Sequence, residues 1–426
     1  MALNTTCLTP RNGHALKLDR SKALFFRAQT VDAFARAIPT IYYPNHGRIG
    51  GYPLYTEKAR GCHIWDVDGN KYVDFLLGHG SVVLGHGDKD VSRAVRNVLR
   101  NGPNPTFMSQ DQVELAETIL STSLKLESVV FLKTGSDATG AAVRLARSIT
   151  GRRIVLRWGL HGWHDWCSPK SKGVSDHAKA ESVVLTFNNP LEAKLAFSKY
   201  GDRIACVIVM PFEVDLPESG YLHTLRNLCK SHGSIFILDE IRTGFRISCG
   251  GAQQIFDIEA DLVTYGKALG NGYAISVLAG KNILLDRILD VEMTSTFYRN
   301  HDSIAAALAC LRKIIRLNVP SQLENLGTQL MNSLTHFAKE SGVPAIAVGH
   351  PSMPFIRFNY GSPDTDNRAL IYFCNAMLKK KILLSPFHHW FICQSMTPEI
   401  ISATARAARS VFREMNANFL NCNRAY

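Results

Sequence analysis

The chain has 426 residues, 46% hydrophobic and 20% charged, enough for one large domain with a smaller one attached and ordinary for a globular protein. Its formal charge of +12 suits anionic ligands, but the basic residues are dispersed, with no arginine-rich run and no aromatic-basic interleaving, so nucleic acid is not the expected partner. No apolar run reaches bilayer length, no repeat or low-complexity tract is present, and the N-terminus lacks a signal-peptide core, so neither a membrane nor secretion is expected.

Ser21–Ala37 has helical periodicity without Gly or Pro, and Pro39–Pro53 reads as an irregular loop. CHIWDVDGNKYVDF at Cys62–Phe75 sets two alternating runs around Asp68-Gly69-Asn70, which predicts a β-hairpin. Two Gly-His turns follow and lead into a helix over Lys89–Arg100. His79 and His86 in those turns lack an acidic or cysteine partner in the motif, so a structural part is expected for them rather than a metal. From Ser128 short apolar runs alternate with helical stretches, the pattern of a parallel sheet with crossover helices. The strands fall at Val129–Leu132, Arg153–Leu156, Val183–Thr186, Ile204–Val209, Ile235–Leu238, Leu262–Thr264 and Ala274–Ala279. Helices lie between them at Asp137–Ser148, Leu191–Ser198 and His223–His232. After Ile283 the chain is mainly helical to about Glu340. It then turns α+β, with a strand at Phe355–Tyr360 and helices at Asp366–Lys380 and Pro398–Met415. The expected organisation is a large α/β domain over 81–315 and a small domain built from 1–80 and 316–426.

The ten cysteines are scattered, with no CxxC pair and no zinc spacing, and Cys206 and Cys229 lie in or beside apolar runs. Reduced core thiols in a cytoplasmic protein are expected, and no metal.

The chemistry concentrates at Ser234–Gly272. One short apolar run breaks there at Asp239-Glu240, and a second breaks at Lys267 before Gly270 and Gly272. In open α/β sheets ligands sit at the carboxyl ends of such strands. A carboxylate and a lysine delivered there are what a pyridoxal phosphate enzyme uses, the lysine to form a Schiff base and the acid to keep the pyridine nitrogen protonated. An ordinary strand-end acid and a surface lysine give the same pattern. Thr134-Gly135-Ser136-Asp137 opens a helix and serves either as a phosphate cup or as plain capping. WGLHGWHDW at Trp158–Trp166 is either the aromatic wall of a pocket or packing between domains. Glu240 reads as a helix or loop partner, and Arg242 and Arg246 as surface ion pairs rather than carboxylate binders. TSTFYRN at Thr294–Asn300 precedes a helix.

Taken together these stretches resemble the class III, fold type I aminotransferases, most nearly the glutamate-1-semialdehyde 2,1-aminomutases, over about Ser21 to Phe412. The markers are WDVDGNKYVDF at Trp65–Phe75, LGHG at Leu84–Gly87, TGSDATGAAVRLARSITGR at Thr134–Arg152 and HGWHDW at His161–Trp166. They continue with FNNPLEA at Phe187–Ala193, LDEIRTGFR at Leu238–Arg246, GKALGNG at Gly266–Gly272, and STF and IAAALA within Ser295–Ala309. The resemblance implies a large domain with a seven-stranded, mostly parallel sheet, a small α+β domain from both chain ends, and pyridoxal 5′-phosphate (PLP) as cofactor. It implies Lys267 as the internal aldimine lysine, Asp239 as pyridinium partner, Ile241 against one ring face, and Gly135 and Ser136 as phosphate cup. It also implies that Thr296 reaches the phosphate of a second subunit, hence a homodimer with shared active sites.

The departures from the family lie toward the substrate. Leu160 stands where a tyrosine usually precedes His161-Gly162, an aliphatic cover in place of an aromatic one. Met210-Pro211 replaces a Glu-Pro, His79 replaces a tryptophan, Tyr298–His301 replaces Ser-Gly-Asn-Pro, and Thr40–Arg48 matches the aminomutase substrate loop poorly. These changes favour an aminotransferase of specialised metabolism, with an amino donor and a carbonyl acceptor as substrates and Arg48, His79 and Arg299 as candidate contacts. An intramolecular aminomutase is the alternative, and a non-catalytic scaffold the remaining one.

Overall fold

A computed structural model of the chain describes residues 16–33, 35–36, 55–123, 125–170 and 172–423. They divide into two compact units: the described parts of Met1–Asp88 with those of Gln322–Tyr426, and Lys89–Ser321.

The first unit begins with the helix Asp19–Val31 and an antiparallel meander of Thr56–Arg60 (β1), His63–Asp66 (β2) and Lys71–Asp74 (β3). The expected hairpin is the β2–β3 turn. Gly69 takes φ +84 there, and Asp66 accepts the N–H groups of Asp68 and Asn70 at 3.0 and 2.8 Å. Asp68 in turn accepts the N–H groups of Arg20 and Ser21, which fixes the start of the helix. The expected helix to Ala37 is interrupted at Asp32, which turns extended at φ −120 and ψ 114, and Ala33, Ala35 and Arg36 are helical beyond it. The expected loop Pro39–Pro53 falls within residues 37–54, which lie outside the described residues. His86 has the acidic partner that its motif did not reveal, with Nε2 2.8 Å from Asp74 Oδ2.

In the unit Lys89–Ser321 seven strands form one sheet. They are Ser128–Leu132 (β4), Ile154–Trp158 (β5), Ser182–Val184 (β6), Ile204–Val209 (β7), Ile235–Asp239 (β8), Leu262–Tyr265 (β9) and Ser276–Gly280 (β10). Their order is β4-β10-β9-β8-β7-β5-β6, and only β10 runs against its neighbours. Every residue of β7 and β8 is buried, which is why IACVIV and IFILD read as unbroken apolar runs. The helix Gly135–Thr150 lays Ala138, Ala141, Ala142 and Leu145 into a core shared with Val155, Ile208, Ile237 and Leu278. Its small side chains let the helix approach the sheet closely, and they set its N-terminus at the strand ends where β8 and β9 finish.

The remainder of the first unit adds the antiparallel pair Ala345–Val348 (β11) and Phe355–Phe358 (β12), the helix Pro363–Lys379, and Ile382–Leu383 (β13) parallel to β3. The helix Pro398–Asn423 follows and runs past the expected Met415. The sequence pattern did not reveal β11, whose alanines carry little strand preference. The eight cysteines whose side chains are described are free thiols, all but Cys249 buried. No helix among the described residues is long and apolar enough to cross a membrane.

Candidate active site

β8 and β9 are parallel neighbours with Asp239 opposite Thr264, so they end on the same edge of the sheet. Asp239 closes β8, and Lys267 opens a short turn, Lys267–Gly270, just past β9. Asp239 is buried and its carboxylate is fixed from three sides. Oδ2 lies 2.7 Å from His161 Nδ1, while Oδ1 accepts the Thr264 hydroxyl and the Ile241 N–H, each at 3.1 Å. His161 is itself held: Nε2 faces the Trp158 carbonyl at 3.0 Å, its carbonyl accepts the Thr139 hydroxyl at 2.6 Å, and its ring stacks on Trp166. A carboxylate locked in this way keeps one orientation, as a preorganised site requires.

Lys267 is half-buried and takes φ +42, a left-handed backbone that costs a lysine about 1–2 kcal/mol. Strain of that kind persists where the surroundings over-determine it. Burial pushes its amine down to about 8. Arg242 and Arg246 add to the fall and Asp239 opposes it.

Arg242 and Arg246 do not lie at the surface, where ion pairing was expected of them. Both are buried, because the turn after β8 folds back on the end of β9. Glu240 donates its N–H to the Thr264 carbonyl at 2.9 Å, and a Cβ on Gly244 would stand 2.5 Å from the Tyr265 ring. Arg242 donates to the Phe212 carbonyl at 2.8 Å and places Nη1 3.9 Å from Glu213. Glu240 is a loop partner that accepts from the Ala252 and Gln253 N–H groups and the Thr243 hydroxyl, and burial lifts its carboxyl to about 7.

At the helix Gly135–Thr150, Thr134 and Asp137 form a reciprocal capping box that takes up each other's N–H. The N–H groups of Gly135 and Ser136 remain at the positive end of a 16-residue helix, as donors for an anion. Capping and anion binding are therefore both open to this turn. The turn sits tight against its neighbours. A Cβ on Gly135 would lie 3.2 Å from Ile241, one on Gly266 3.1 Å from Ile241, and one on Gly162 2.2 Å from Ser136 Oγ. These glycines draw Gly135, Ser136, His161, Ile241 and Lys267 into one cluster with Asp239.

Leu160 is 65% exposed, and its N–H points to Met210 Sδ at 3.2 Å. Gly159, at φ +109, leaves the room that Met210 occupies. Thr296 and Arg299 lie exposed ahead of the helix His301–Leu317, and no hydrogen bond among the described residues ties either to the cluster. His79 belongs to the other unit, where Leu77, Gly78 and His79 follow one another at φ +46, +59 and +55 and the His79 ring stands 4.9 Å from that of His388. Arg48 lies outside the described residues. Among the described residues no group of three His, Cys, Asp or Glu side chains is arranged to hold a metal ion.

The family model for class III aminotransferases matches residues 46–165 and 168–407. The chain belongs to the class III aminotransferase family. It is 32% identical to the 3-aminobutyryl-CoA aminotransferase of Cloacimonas acidaminovorans over 411 residues, 94% of this chain and 98% of that one. It is 30% identical to the glutamate-1-semialdehyde 2,1-aminomutase of a Sulfurihydrogenibium species, over 85% of this chain and 92% of that one. The solved structure of Sphingopyxis sp. MTA144 FumI in its PLP internal aldimine form superimposes with a TM-score of 0.86 at 28% identity, covering 94% of this chain and 97% of that one.

The cofactor of this class III aminotransferase is PLP, and the residues present fit it. They supply a buried fixed acid, a lysine of lowered basicity, a helix N-terminus with two N–H donors, and a glycine-lined cluster in which any added Cβ would intrude. Sequence reasoning found these residues but missed two others, the Met210 contact to Leu160 and the burial of Arg242. A sulfur acceptor leaves no mark in a sequence pattern. An arginine two residues after an acidic pair reads as a surface charge.

Proposed function

We propose that this class III aminotransferase moves an amino group between a small-molecule amino donor and a ketone or aldehyde acceptor, with Lys267 as the working lysine. The observation that carries the reading is the pair at the ends of β8 and β9, a buried carboxylate held three ways beside a lysine whose amine falls to about 8. PLP, when bound, supplies a pyridine ring that takes up the electron pair left on the substrate carbon after its proton departs. Asp239 holds the proton on the ring nitrogen, and His161 keeps Asp239 in place. Lys267 Nζ would anchor the cofactor and, once displaced by the incoming amine, would take the proton from the amino-bearing carbon and return it. Gly135 and Ser136 would hold the phosphate through their N–H groups, and Ile241 and Leu160 would cover the ring. The Lys89–Ser321 unit is thus the cofactor domain.

The enzyme works as a homodimer in which Thr296 serves the partner's site, a reading supported by the exposure of Thr296. Arg48, His79 and Arg299 are the candidate substrate contacts. The similarity to a 3-aminobutyryl-CoA aminotransferase supports an acceptor ketone at the β-carbon of an anionic acyl compound, which the charge of +12 suits. Free thiols throughout the core support a cytoplasmic location. Intramolecular transfer, as in the aminomutases the chain resembles, is the second reading. It is distinguished by whether turnover needs a separate donor that leaves as a keto acid.

The purified protein, given PLP, should show a visible band at roughly 410–430 nm that Lys267→Ala abolishes. A protein that takes up no PLP, or a band that survives the substitution, would overturn the assignment of Lys267.

A further inference from the structure

A cavity of about 530 Å³ lies wholly within the Lys89–Ser321 unit, between the helix Gly135–Thr150, the stretch 164–181 and the segment 292–298. That is the size of a small-molecule site, and none of Gly135, Ser136, His161, Asp239, Ile241 or Lys267 lines it. Gly140 opens its wall. A Cβ there would stand 2.8 Å from His164 Nδ1 and 3.9 Å from Trp166 Nε1, so a glycine that weakens the helix relative to alanine makes room for two ring nitrogens. Trp166 is 9% exposed, and its N–H has no hydrogen-bond partner among the described residues. A buried donor left without an acceptor is costly, and one that lines a cavity points to an acceptor on a ligand.

The charges of the lining sort by whether they are already matched. Glu181 meets Arg147 at 3.2 Å through one oxygen and His177 at 2.9 Å through the other, and Asp137 accepts the Thr134 N–H at 2.7 Å. Arg144 has only a long contact of 3.5 Å to the Val291 carbonyl, so most of its guanidinium N–H groups remain for a ligand. Asp165 and Glu292 also line the cavity and are exposed. An indole N–H and a guanidinium suit a carboxylate, two exposed acids suit an ammonium group, and Ala141, Val143 and Met293 supply an apolar remainder. We propose that this cavity is a second ligand site, for an apolar amino acid, whose carboxylate meets Trp166 Nε1 and Arg144 and whose ammonium group faces Asp165 and Glu292. The site goes beyond the amino-transfer reading and does not depend on the assignment of Lys267. Its place gives it a use: the Trp166 ring lies 5.9 Å from that of His161 and nearly parallel to it, and His161 holds Asp239. An occupant therefore sits one ring away from the acid of the cofactor cluster, and it belongs to the compound class that serves as amino donor.

The test is calorimetric titration of L-leucine into the full-length, PLP-loaded enzyme after borohydride reduction, so that no added amine can react with the cofactor. L-Leucine should bind saturably to wild type. Trp166→Phe keeps a ring against His161 but deletes the N–H, and it should weaken binding about tenfold. Isoamylamine, which lacks the carboxylate, should not bind, and 4-methylpentanoate, which lacks the amino group, should bind less tightly than L-leucine. Absence of saturable binding to wild type overturns the proposal. So does equal binding by Trp166→Phe, which would place L-leucine elsewhere, and so does 4-methylpentanoate binding as tightly as L-leucine. If Trp166→Phe does not fold, Arg144→Met, at an exposed position, decides on the same tenfold loss. If the protein takes up no PLP, that failure strikes the assignment of Lys267 alone, and the same titration of the chain without cofactor decides this site.

Discussion

At the scale of single residues, Lys267 shows what the site costs the fold. Its amine falls from an ordinary 10.5 to about 8, burial first among the causes, so the folded chain binds this proton less tightly than the unfolded chain does. Between about pH 8 and 10.5 the unfolded state therefore carries more protons, and stability rises with pH through that window. Below it the full penalty of a charged, enclosed ammonium remains. Lys267→Met removes the charge and keeps the chain length. It should stabilise the cofactor-free protein at pH 7 by on the order of 2–3 kcal/mol, with the gain vanishing above the window. Urea denaturation at the two pH values measures it, and equal gains at both would mean that the amine is not the source. Asp239 presents the opposite case. It is buried where Lys267 is half-buried, and His161, Thr264 and the Ile241 N–H meet its oxygens.

At the scale of elements, the connection after β8 is stitched through Glu240, whose carboxylate accepts the Ala252 N–H at 2.6 Å and the Gln253 N–H at 3.2 Å. Gly251 makes that approach possible: it sits at φ +67, and a Cβ would stand 2.2 Å from Glu240 Oε2. Gly251→Ala should destabilise the protein by about 2–4 kcal/mol, through backbone strain and loss of the Glu240 contacts together. A thermal-denaturation midpoint within a degree of wild type would refute this account. Elements of this kind also show where the sequence is transparent. The runs IACVIV and IFILD announce buried parallel strands because both faces of the sheet are covered, and Asp239 and Lys267 are legible as the polar residues that end such runs. The TGSD turn is legible as a helix start, although capping and anion binding use the same residue types and only the positions of the N–H groups separate them. Arg242 was not legible, because its burial depends on a turn folding back over β9, a tertiary event with no local period. Met210 was visible only as a departure, since the partner of its sulfur, the Leu160 N–H, is a backbone group fifty residues away.

At the scale of the whole molecule, the open question is whether each site is completed by a second copy of the chain. The cluster around Lys267 has its acid, its lysine and the Gly135-Ser136 donors from one chain, while Thr296 and Arg299 stand exposed. If Thr296 serves the partner's site, two defective chains can repair each other. A Lys267→Ala chain still offers its Thr296, and a Thr296→Ala chain still offers its Lys267. In a mixed dimer one site then collects both defects and the other collects neither. Random re-assortment of equal amounts places half of the chains in mixed dimers, each with one intact site of two, so activity should recover to about a quarter of wild type. If instead Thr296 acts within its own chain, each site in a mixed dimer carries one defect. The mixture should then show only the average of the two parent variants. Co-expression with different affinity tags, followed by tandem purification of the mixed species, reads the result directly. Activity no greater than the parental average would remove Thr296 from the partner's site and with it the argument for shared active sites.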